Sequence, residues 1–554
     1  MKRKYIAGQI FVIFLALLAF VVFALIGCSR EEEENILGPS SSVEAVLLVC
    51  NPLAPQPGDV ATLTLENYGY SSSGLPKVYW TVEAGSLYAN EGLTVSWKVP
   101  DTTGVFRVSA RSVVDGVSDT ISRYIAIRNF ERLDSGIRVS FGLCFYENEL
   151  YFIGTDVPTS SQEFHGYYDI YRFVQGGSEK LTENTNPEFF GGESFSFHGP
   201  KVLGSFLCNY SDLATRQNKN VAIFTIYPST NIELVTNDVS SKINRYNQHT
   251  HPWGNSDLSM VVWQRNIAGT KADGTKDLTD IGFWNGLDSY TITQCLDSIW
   301  VQLSNGEWVK KPRYYRNIKP MITPDSKAII YFVDTTGTFE PCIVKFSSAG
   351  VPDTNTREMM KVDEVHGLFE VNGVVVDEAT NFEWNPIDTS GYCAFIDNGG
   401  RLCYFDYINQ DVQVMDLGAR PMEFVWSPDG SECAVVTDKG IKLVPLTGTV
   451  EHVYSIEVKS DIIKGLNWSP DGKYLVFRLF RRGKSDKDTF SALVLLSLDD
   501  KIWYFISPRV GGISELSVPF QWYRVICRDG INDIYAPMPV ISGDREIEIF
   551  RSYN

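Results

Sequence analysis

The sequence predicts an all-β fold in which a small β-sandwich is followed by a seven- or eight-bladed β-propeller. The strongest observation is a repeated motif, Trp-Ser-Pro-Asp-Gly or a variant of it, whose tryptophans Trp384, Trp426 and Trp468 are spaced 42 residues apart. A period of this length is typical of a propeller blade of four strands. In addition, residues 130–554 show strand and turn patterns without a helical period, and residues 44–129 contain short strands of alternating polarity.

Residues 1–27 are predicted to be a lipoprotein signal peptide. A basic stretch at residues 2–4 precedes an apolar run at residues 10–26, which is the order of a secretory signal, and a single membrane-spanning anchor is the alternative. The sequence Leu25-Ile26-Gly27-Cys28 resembles the bacterial lipobox, which implies a lipid on Cys28 that holds the protein in a membrane. Ser29 then resembles the Gram-negative sorting pattern for the outer membrane. We therefore expect an outer-membrane lipoprotein of the bacterial cell envelope that faces the periplasm or the cell surface.

Residues 28–43 are predicted to be an acidic tether and linker. Four consecutive glutamates, Glu31–Glu34, resemble the acidic signals that send some lipoproteins to the cell surface. The alternative is a solvated tether whose like charges repel one another.

Residues 44–129 are predicted to be a sandwich of short strands. The pattern formed by Trp80, Gly85, Trp97 and Gly104 resembles the Ig-like or PKD-like modules of bacterial surface proteins. Cys50 is the only cysteine of this segment, so the disulfide between the sheets of antibody domains is absent. The segment is expected to be either a stalk that holds the next domain away from the membrane or a binding module.

Residues 130–554 contain seven predicted blades and a C-terminal eighth unit. Degenerate copies of the motif lie at residues 251–257, 322–326 and 521–522. Together with the complete copies headed by Trp426 and Trp468, they make this part of the chain resemble the TolB-like family of propellers. Pro, Asp and Gly are favoured in tight turns, so the motif aspartates are predicted to form turns and not to act in catalysis.

Charge and cysteine content restrict the partners and the covalent bonds. A formal net charge of −18 disfavours a nucleic-acid partner, because such a partner needs a basic surface that displaces counterions from phosphates. Most of the cysteines after Cys28 lie in apolar, strand-like runs, and most are predicted to be buried free thiols. Cys393 and Cys403 lie at equal distances from Asn398 and are the one candidate disulfide.

Function is expected where the repeats differ. The connection between strands 2 and 3 of a blade lies on the face opposite the motif turns, and it is long at residues 156–167, 209–220, 266–280 and 481–488. In a closed ring these blades are expected to be consecutive, which raises one arc of that face. Aromatic and cationic side chains in these loops suit a protein or glycan surface, and tolerated insertions are the alternative. The candidate binding residues are Phe164, His165, Tyr167, Tyr210, Arg216, Lys271, Lys276, Arg481, Arg482 and Lys484.

His249 and His251 are the only clustered histidines of the sequence. Residues two apart on a strand share a face, so this pair is a candidate metal site, although the sequence identifies no further ligand. Some TolB-like propellers are glycan lyases with channel histidines and a metal, and the resemblance implies this possibility for the pair.

The sequence contains none of the common catalytic motifs, and no cofactor is expected. We therefore predict a non-catalytic, lipid-anchored envelope protein whose propeller face binds a protein partner. The alternative is a surface lipoprotein that binds or cleaves a glycan.

Overall fold

The fold of the described residues consists of strands and turns, with one short 3-10 helix at Thr354–Thr356. It is seen in a computed structural model that describes residues 46–67, 77–114, 117–156, 168–182, 189–208, 219–236, 248–267, 278–293, 296–302, 308–314, 316–334, 339–356, 358–359, 376, 380–387, 389–409, 411–456, 461–481, 490–511, 524–542 and 545–554. Within these ranges, no helix has the length and apolar character needed to cross a membrane.

The N-terminal part of the structure contains two small sheets. Side chains of their strands alternate between buried and exposed, as at Val78 and Trp80 in one sheet and Val95 and Trp97 in the other, so each sheet has one buried face. One sheet has the order β1 (Val46–Asn51), β2 (Val60–Asn67), β5 (Thr94–Lys98), β4 (Ser86–Leu87); the other has the order β3 (Lys77–Val82), β6 (Gly104–Val114), β7 (Val117–Ile127).

The rest of the described chain forms four-stranded antiparallel blades. In blades 1 to 7 the strands follow one another in chain order from the ring axis outward. Blade 1 contains β9 (Val139–Tyr146), β10 (Glu149–Thr155), β11 (Asp169–Val174) and β12 (Gly177–Lys180); blade 2 contains β13 (Phe189–His198), β14 (Lys201–Cys208), β15 (Lys219–Thr225) and β16 (Asn231–Leu234); blade 3 contains β17 (Gln248–Gly254), β18 (Val261–Ile267), β19 (Leu278–Trp284) and β20 (Ser289–Thr291).

A separate hairpin, β21 (Leu296–Gln302) with β22 (Trp308–Tyr314), lies in sequence between blades 3 and 4. Blade 4 contains β23 (Arg316–Ile322), β24 (Ala328–Asp334), β25 (Phe339–Lys345) and β26 (Glu358–Met359); blade 5 contains β27 (Phe382–Trp384), β28 (Tyr392–Ile396), β29 (Leu402–Asp406) and β30 (Asp411–Met415); blade 6 contains β31 (Pro421–Trp426), β32 (Glu432–Thr437), β33 (Gly440–Pro445) and β34 (Glu451–Ser455); blade 7 contains β35 (Asp461–Trp468), β36 (Tyr474–Arg481), β37 (Phe490–Ser497) and β38 (Ile502–Phe505), with β39 (Val510–Gly511) paired to β37.

Blade 8 closes the ring with strands from both ends of the propeller. Its first three strands are β40 (Ile526–Cys527), β41 (Asp533–Ser542) and β42 (Arg545–Tyr553). Its outermost strand is β8 (Asn129–Leu133), which pairs antiparallel with β42 from Tyr553↔Asn129 to Ile549↔Leu133. The described residues therefore form eight blades, and the alternative of seven is wrong.

Two tryptophans of the motif, Trp426 and Trp468, tie neighbouring blades together. The indole Nε1 of Trp426 in blade 6 donates to the carbonyl oxygen of Glu383 in blade 5 at 3.0 Å. The Nε1 of Trp468 in blade 7 makes the same bond to Val425 in blade 6 at 3.2 Å. Each indole thus fills the space between blades and also satisfies its own donor.

The aspartates of the motif stabilise its turns. Asp429 Oδ1 accepts hydrogen bonds from Ser427 Oγ at 2.6 Å and from the Ser431 amide at 3.0 Å. Asp471 accepts from Ser469 Oγ at 2.5 Å in the next blade. These bonds hold the pKa of both carboxyls below its ordinary value. The prediction that these residues are turn formers is confirmed.

The sandwich is fixed to the propeller. Arg128, which joins β7 to β8, is buried and donates to Ser552 Oγ at 3.0 Å and to the carbonyl oxygen of Ile531 at 2.8 Å. The guanidinium of Arg123 lies over the rings of Trp503 and Phe505 in blade 7, with its carbon 4.4 and 5.2 Å from their centres. The end of the sandwich is therefore part of the seam that closes the ring.

The predicted disulfide between Cys393 and Cys403 is wrong. Cys403 pairs with Phe395, and Cys393 pairs with Phe405, because the turn is centred on Gly399 and not on Asn398. Both cysteines are buried free thiols, as are Cys50, Cys342 and Cys433.

Candidate functional site

The first strands of several blades, which lie nearest the ring axis, share one irregularity. In blades 1, 3, 4 and 7 the pairing of strand 1 with strand 2 shifts by one residue. A residue with a left-handed backbone lies at each shift: φ is 62° at Gly142, 51° at His251, 51° at Lys319 and 67° at Gly465. Such bulges bend a strand and increase its twist. The left-handed backbone of His251 is therefore part of a bulge that recurs in four blades of the ring.

The two candidate metal ligands lie at this bulge and beside it. His249 is buried, and its ring packs edge-on against Trp263 with 6.1 Å between ring centres. His251 is partly buried, and its Nδ1 lies 3.1 Å from Thr250 Oγ1. The regular alternation from which a shared face was predicted is interrupted here. No group of three or more His, Cys, Asp or Glu in the described ranges is arranged to hold a metal ion.

The sequence did not predict a further ionisable group near the ring axis, in addition to His249 and His251. Glu423, in the first strand of blade 6, is buried. Its carboxylate accepts the amides of Leu466 at 2.8 Å and Gly465 at 3.2 Å, which belong to the bulge of blade 7. Burial raises the pKa of Glu423 to about 7, against the opposing effects of Arg524 and of the two amides.

Arg524 connects Glu423 to a further carboxylate. It precedes the first strand of blade 8, and its Nη2 donates to Glu383 Oε1 at 2.5 Å and to the carbonyl oxygen of Phe424 at 3.2 Å. Blade 8 is thereby linked to the first strands of blades 5 and 6. We call Glu383, Glu423 and Arg524 the axial charge cluster.

The axial charge cluster makes the free energy of unfolding depend on pH. The folded state retains the Glu423 proton up to about pH 7, whereas the unfolded chain releases it near 4.5. Stability contributed by the neutral carboxyl is therefore present below this window and is lost as pH rises through it, by about 3 kcal/mol. Glu423→Gln, which cannot titrate there, is expected to lack this loss when free energies of unfolding in urea are compared at pH 5 and pH 8.

Other titrating groups are common to both proteins and cancel in the difference between them. An equal loss of stability from pH 5 to pH 8 in the native protein and in Glu423→Gln would contradict the assignment.

Side-chain hydrogen bonds of threonine, which we call threonine ties, fix the bases of three loops. These loops lie on the face of the ring opposite the motif turns, and we call this face the loop face. In each of blades 1, 2 and 3, a threonine just after strand 4 donates to an Asp or Asn among the first three residues of strand 3, where the long loop returns. The pairs are Thr182 to Asp169 Oδ1 at 2.8 Å, Thr236 to Asn220 Oδ1 at 2.9 Å and Thr293 to Asp280 Oδ1 at 2.9 Å.

The sequence carries a signal for these ties. Each acceptor is followed by Ile or Val, and each threonine follows an apolar residue, as in Asp169-Ile170 and Leu181-Thr182. The apolar pair is joined through the backbone, with the Leu181 amide 2.8 Å from the carbonyl oxygen of Ile170. Each of the three blades thus carries two dipeptides: Asp or Asn followed by Ile or Val, and later an apolar residue followed by Thr. The recurrence of this pattern predicts the hydrogen bond between the threonine and the Asp or Asn.

Arg481 is the one candidate binding residue whose surroundings are described. It lies at the end of β36, where the loop of blade 7 begins, and it makes a two-point ion pair with buried Asp461 at 2.7 Å for both contacts. Its guanidinium also lies 5.6 Å from the centre of the Phe490 ring. Arg481 therefore supports the base of this loop.

The remaining candidate residues lie outside the described ranges. These are Cys28, Phe164, His165, Tyr167, Tyr210, Arg216, Lys271, Lys276, Arg482 and Lys484.

The order of the blades corrects one expectation about the loops. Blade 8, whose strands 2 and 3 are separated only by residues 543–544, stands between blades 7 and 1. The blades with long loops are therefore not all consecutive: blades 1, 2 and 3 form one arc, and blade 7 stands apart from it. The expectation failed because it did not count blade 8 as a full blade.

The chain matches no protein-family model, and no curated protein is similar to it in sequence. Among solved structures it is similar to an oligogalacturonate lyase from Vibrio parahaemolyticus, with 10% identity over 77% of this chain and 98% of that one and a TM-score of 0.38. Prolyl oligopeptidase B from Galerina marginata is 10% identical over 74% of this chain and 56% of that one, with a TM-score of 0.40. A protein of unknown function from Bacteroides thetaiotaomicron is 12% identical over 93% of this chain and 100% of that one, with a TM-score of 0.27.

Strand order and register define the class of protein: an all-β chain in which a small two-sheet domain is fixed to an eight-bladed propeller. Similarities at these identities and TM-scores assign no activity to it.

Proposed function

We propose that this protein is a non-catalytic binding protein of the bacterial cell envelope, anchored by a lipid on Cys28, and that its loop face engages another envelope protein. The observation that carries the proposal is the set of three threonine ties in consecutive blades, which holds the bases of three long loops side by side. Loops on a rigid scaffold are where binding residues concentrate. Fixed loop bases also reduce the conformational entropy lost on binding.

The anchoring of the scaffold agrees with such a role. The sandwich is held to blade 8 by Arg128 and to blade 7 by Arg123. A ligand held on the loop face would then have a fixed position relative to the sandwich, from which the N-terminal tether leaves.

Shortening the loops tests the proposal. Residues 157–167, 209–218 and 268–277 are replaced together by the turn Asp397–Gly400 of blade 5, and the native protein is crosslinked in intact cells and captured from solubilised envelopes. We expect a specific protein partner of the native chain to be lost from the triple variant. Replacement of residues 482–489 in blade 7 is the matched control on the same face and is expected to retain the partner.

Retention of every partner by the triple variant would disprove the role of this arc. Capture of a glycan and no protein through the same loops would replace the protein partner with the glycan alternative.

The lipid anchor has a separate test. Cys28→Ala is expected to remove the protein from the membrane fraction and to leave a precursor whose signal peptide is uncut, as measured by fractionation and intact mass. A processed, membrane-bound Cys28→Ala protein would disprove lipidation at this residue.

A further inference from the structure

The bulge in the first strand of blade 7 binds a carboxylate through two successive backbone amides. Gly465 and Leu466 donate to the carboxylate of Glu423, which lies in the first strand of the preceding blade. The left-handed backbone at Gly465, with φ at 67°, turns these two neighbouring N–H groups to the same side. Successive amides arranged in this way form an anion-binding nest.

The first strand of blade 1 has the same bulge. The shift in its pairing places two residues, Gly142 and Leu143, opposite one residue of strand 2, as it does in blade 7. Gly142 has the left-handed backbone, with φ at 62°. The N–H groups of Gly142 and Leu143 are therefore directed like those of the nest in blade 7, and we call them the axial amide pair. The bulges of blades 3 and 4 offer no such pair, because Pro252 and Pro320 follow the left-handed residue and carry no amide hydrogen.

Blade 8, which precedes blade 1 in the ring, has an arginine where blade 6 has Glu423. Arg524 lies four residues before Arg528, whose amide closes the turn to strand 2. Glu423 lies four residues before Ser427, whose amide makes the same bond in blade 6. An arginine cannot accept a hydrogen bond, and Arg524 donates within the axial charge cluster. Within the described ranges, no side chain accepts a hydrogen bond from the axial amide pair.

The axial amide pair is accessible, whereas the nest of blade 7 is covered. Gly142 is partly exposed and Gly465 is buried, and because glycine has no side chain the difference lies in the backbone. Met422 and Ile462, near the loop-face ends of the first strands of blades 6 and 7, are 45% and 37% exposed. Neighbouring blades cover both faces of these strands, so the exposed side chains open on the ring axis. The axial space is thus reached from the loop face, past apolar side chains.

The depth of the axial amide pair suits the end of a peptide chain. Gly142 is the fourth residue of β9, whose first residue lies toward the loop face, so the pair lies about 10 Å below that face. An extended tail of about three or four residues spans this distance. Its side chains would pass Met422 and Ile462, and its terminal carboxylate would meet two N–H groups. Capture of a C-terminal carboxylate in a backbone nest is a recurring mode of peptide recognition.

We propose that the axial amide pair of blade 1 binds the C-terminal carboxylate of the protein partner. The inference deepens the proposed function and rests on it for the assignment of the partner as a protein. The long loops of blades 1, 2 and 3 then hold the body of the partner, and its C-terminal tail enters the ring axis. Hydrogen bonds from amides to a carboxylate are stronger than those between neutral groups, because the acceptor is ionised.

Peptide retention tests the site without knowledge of the partner. The chain from residue 29 onward, which keeps every described residue, is immobilised and exposed to a mixed tetrapeptide library with free C-terminal carboxylates and to the same library with C-terminal amides. Retained peptides are measured by mass spectrometry. We expect the native chain to retain peptides with free carboxylates and to release the amidated ones. The amide resonance of Gly142, in a chain labelled with nitrogen-15 glycine, is expected to shift when a retained peptide is added.

Two variants at one position isolate the contribution of an amide. L143P removes one N–H group and is compatible with the bulge, because proline follows the left-handed residue in blades 3 and 4. L143A removes the same apolar side chain and keeps the N–H group, so it is the matched control. We expect L143P to bind the retained peptides about 10- to 100-fold more weakly and L143A to bind them like the native chain. Circular dichroism and thermal unfolding establish that both variants fold.

Equal retention of free-acid and amidated peptides, retention of neither, or equal binding by L143P and L143A would overturn the site. Retention of a uronate oligosaccharide and of no peptide would overturn the peptide assignment. The site and the role of the loops fail separately. Capture of the envelope partner by L143P as strongly as by L143A would overturn the axial site and leave the role of the loops standing. Peptide binding that depends on the Leu143 amide, in a protein whose triple loop variant retains every partner, would support the site and disprove the role of the loops.

Discussion

Replacing Gly430 by alanine is expected to destabilise the protein by about 2–5 kcal/mol. Gly430 ends the motif turn of blade 6 with φ at 68°, and a residue with a Cβ pays about 1–2 kcal/mol there. In addition, a Cβ at this position would overlap Oδ1 of Asn385 in blade 5. Asn385 is buried, and its Nδ2 donates to the Gly430 carbonyl at 2.7 Å, so it cannot move away without losing this bond. Overpacking of this kind costs a further 1–3 kcal/mol, as an order of magnitude.

Gly472→Ala is the matched control. Gly472 has the same place in the turn of blade 7, with φ at 71°, but a Cβ there would meet no atom within 4 Å. Only the backbone cost of about 1–2 kcal/mol is therefore expected. The free energy of unfolding from denaturant titration measures both variants. Equal losses for the two would show that the contact between blades 5 and 6 does not matter.

Arg128→Met is expected to destabilise the protein by about 3–5 kcal/mol and to loosen blade 8. The methionine keeps part of the volume but removes a buried guanidinium that bonds Ser552 and the carbonyl oxygens of Ile531 and Asn532. Of these acceptors, Ser552 is buried and would be left without that donor. Faster hydrogen exchange in β8 and β42 than in blades 4 and 5 is the expected signature, in addition to the lower free energy of unfolding.

Arg123→Met is the comparison at the same junction. Arg123 contacts two aromatic rings and one carbonyl oxygen, and the loss is expected to be about 1–2 kcal/mol without selective exchange in blade 8. An effect of Arg128→Met no larger than this would remove Arg128 from the ring closure.

The spacing of the motif predicted the blades because each motif forms a local turn with its own hydrogen bonds. The number of blades could not be predicted in the same way. Blade 8 combines β8 with β42, whose paired residues Asn129 and Tyr553 are more than 400 positions apart in the chain, and no local pattern reports such a pairing.

The degenerate copy of the motif in blade 3 shows a second limit on what the sequence predicts. Asn255 occupies the place of Ser427, since its amide bonds to Met260 as that of Ser427 bonds to Glu432. Gly254, and not Trp253, therefore occupies the tryptophan position. Leu258 takes the left-handed place that glycine takes in the complete motifs, with φ at 57°. Because a leucine in this conformation is unusual, the sequence alone placed the motif one residue too early.

The sequence located the long connections between strands but not the side chains that support their bases. Loop lengths depend on the sequence directly, so the connections of blades 1, 2, 3 and 7 were found. The axial charge cluster was missed because Glu383, Glu423 and Arg524 come from three blades and share no motif. Their proximity is a product of ring closure.

The seam in blade 8 also decides how the protein bears tension. A closed ring of blades tied to their neighbours has no terminal repeat from which to fray, so its opening starts where two distant strands meet. A pull on the N-terminal segment passes first through the sandwich and then into β8, the first blade strand after it in the chain. The tether, the sandwich and the seam are mechanically in series, and the hydrogen bonds of Arg128 lie at the point where the load would enter the ring.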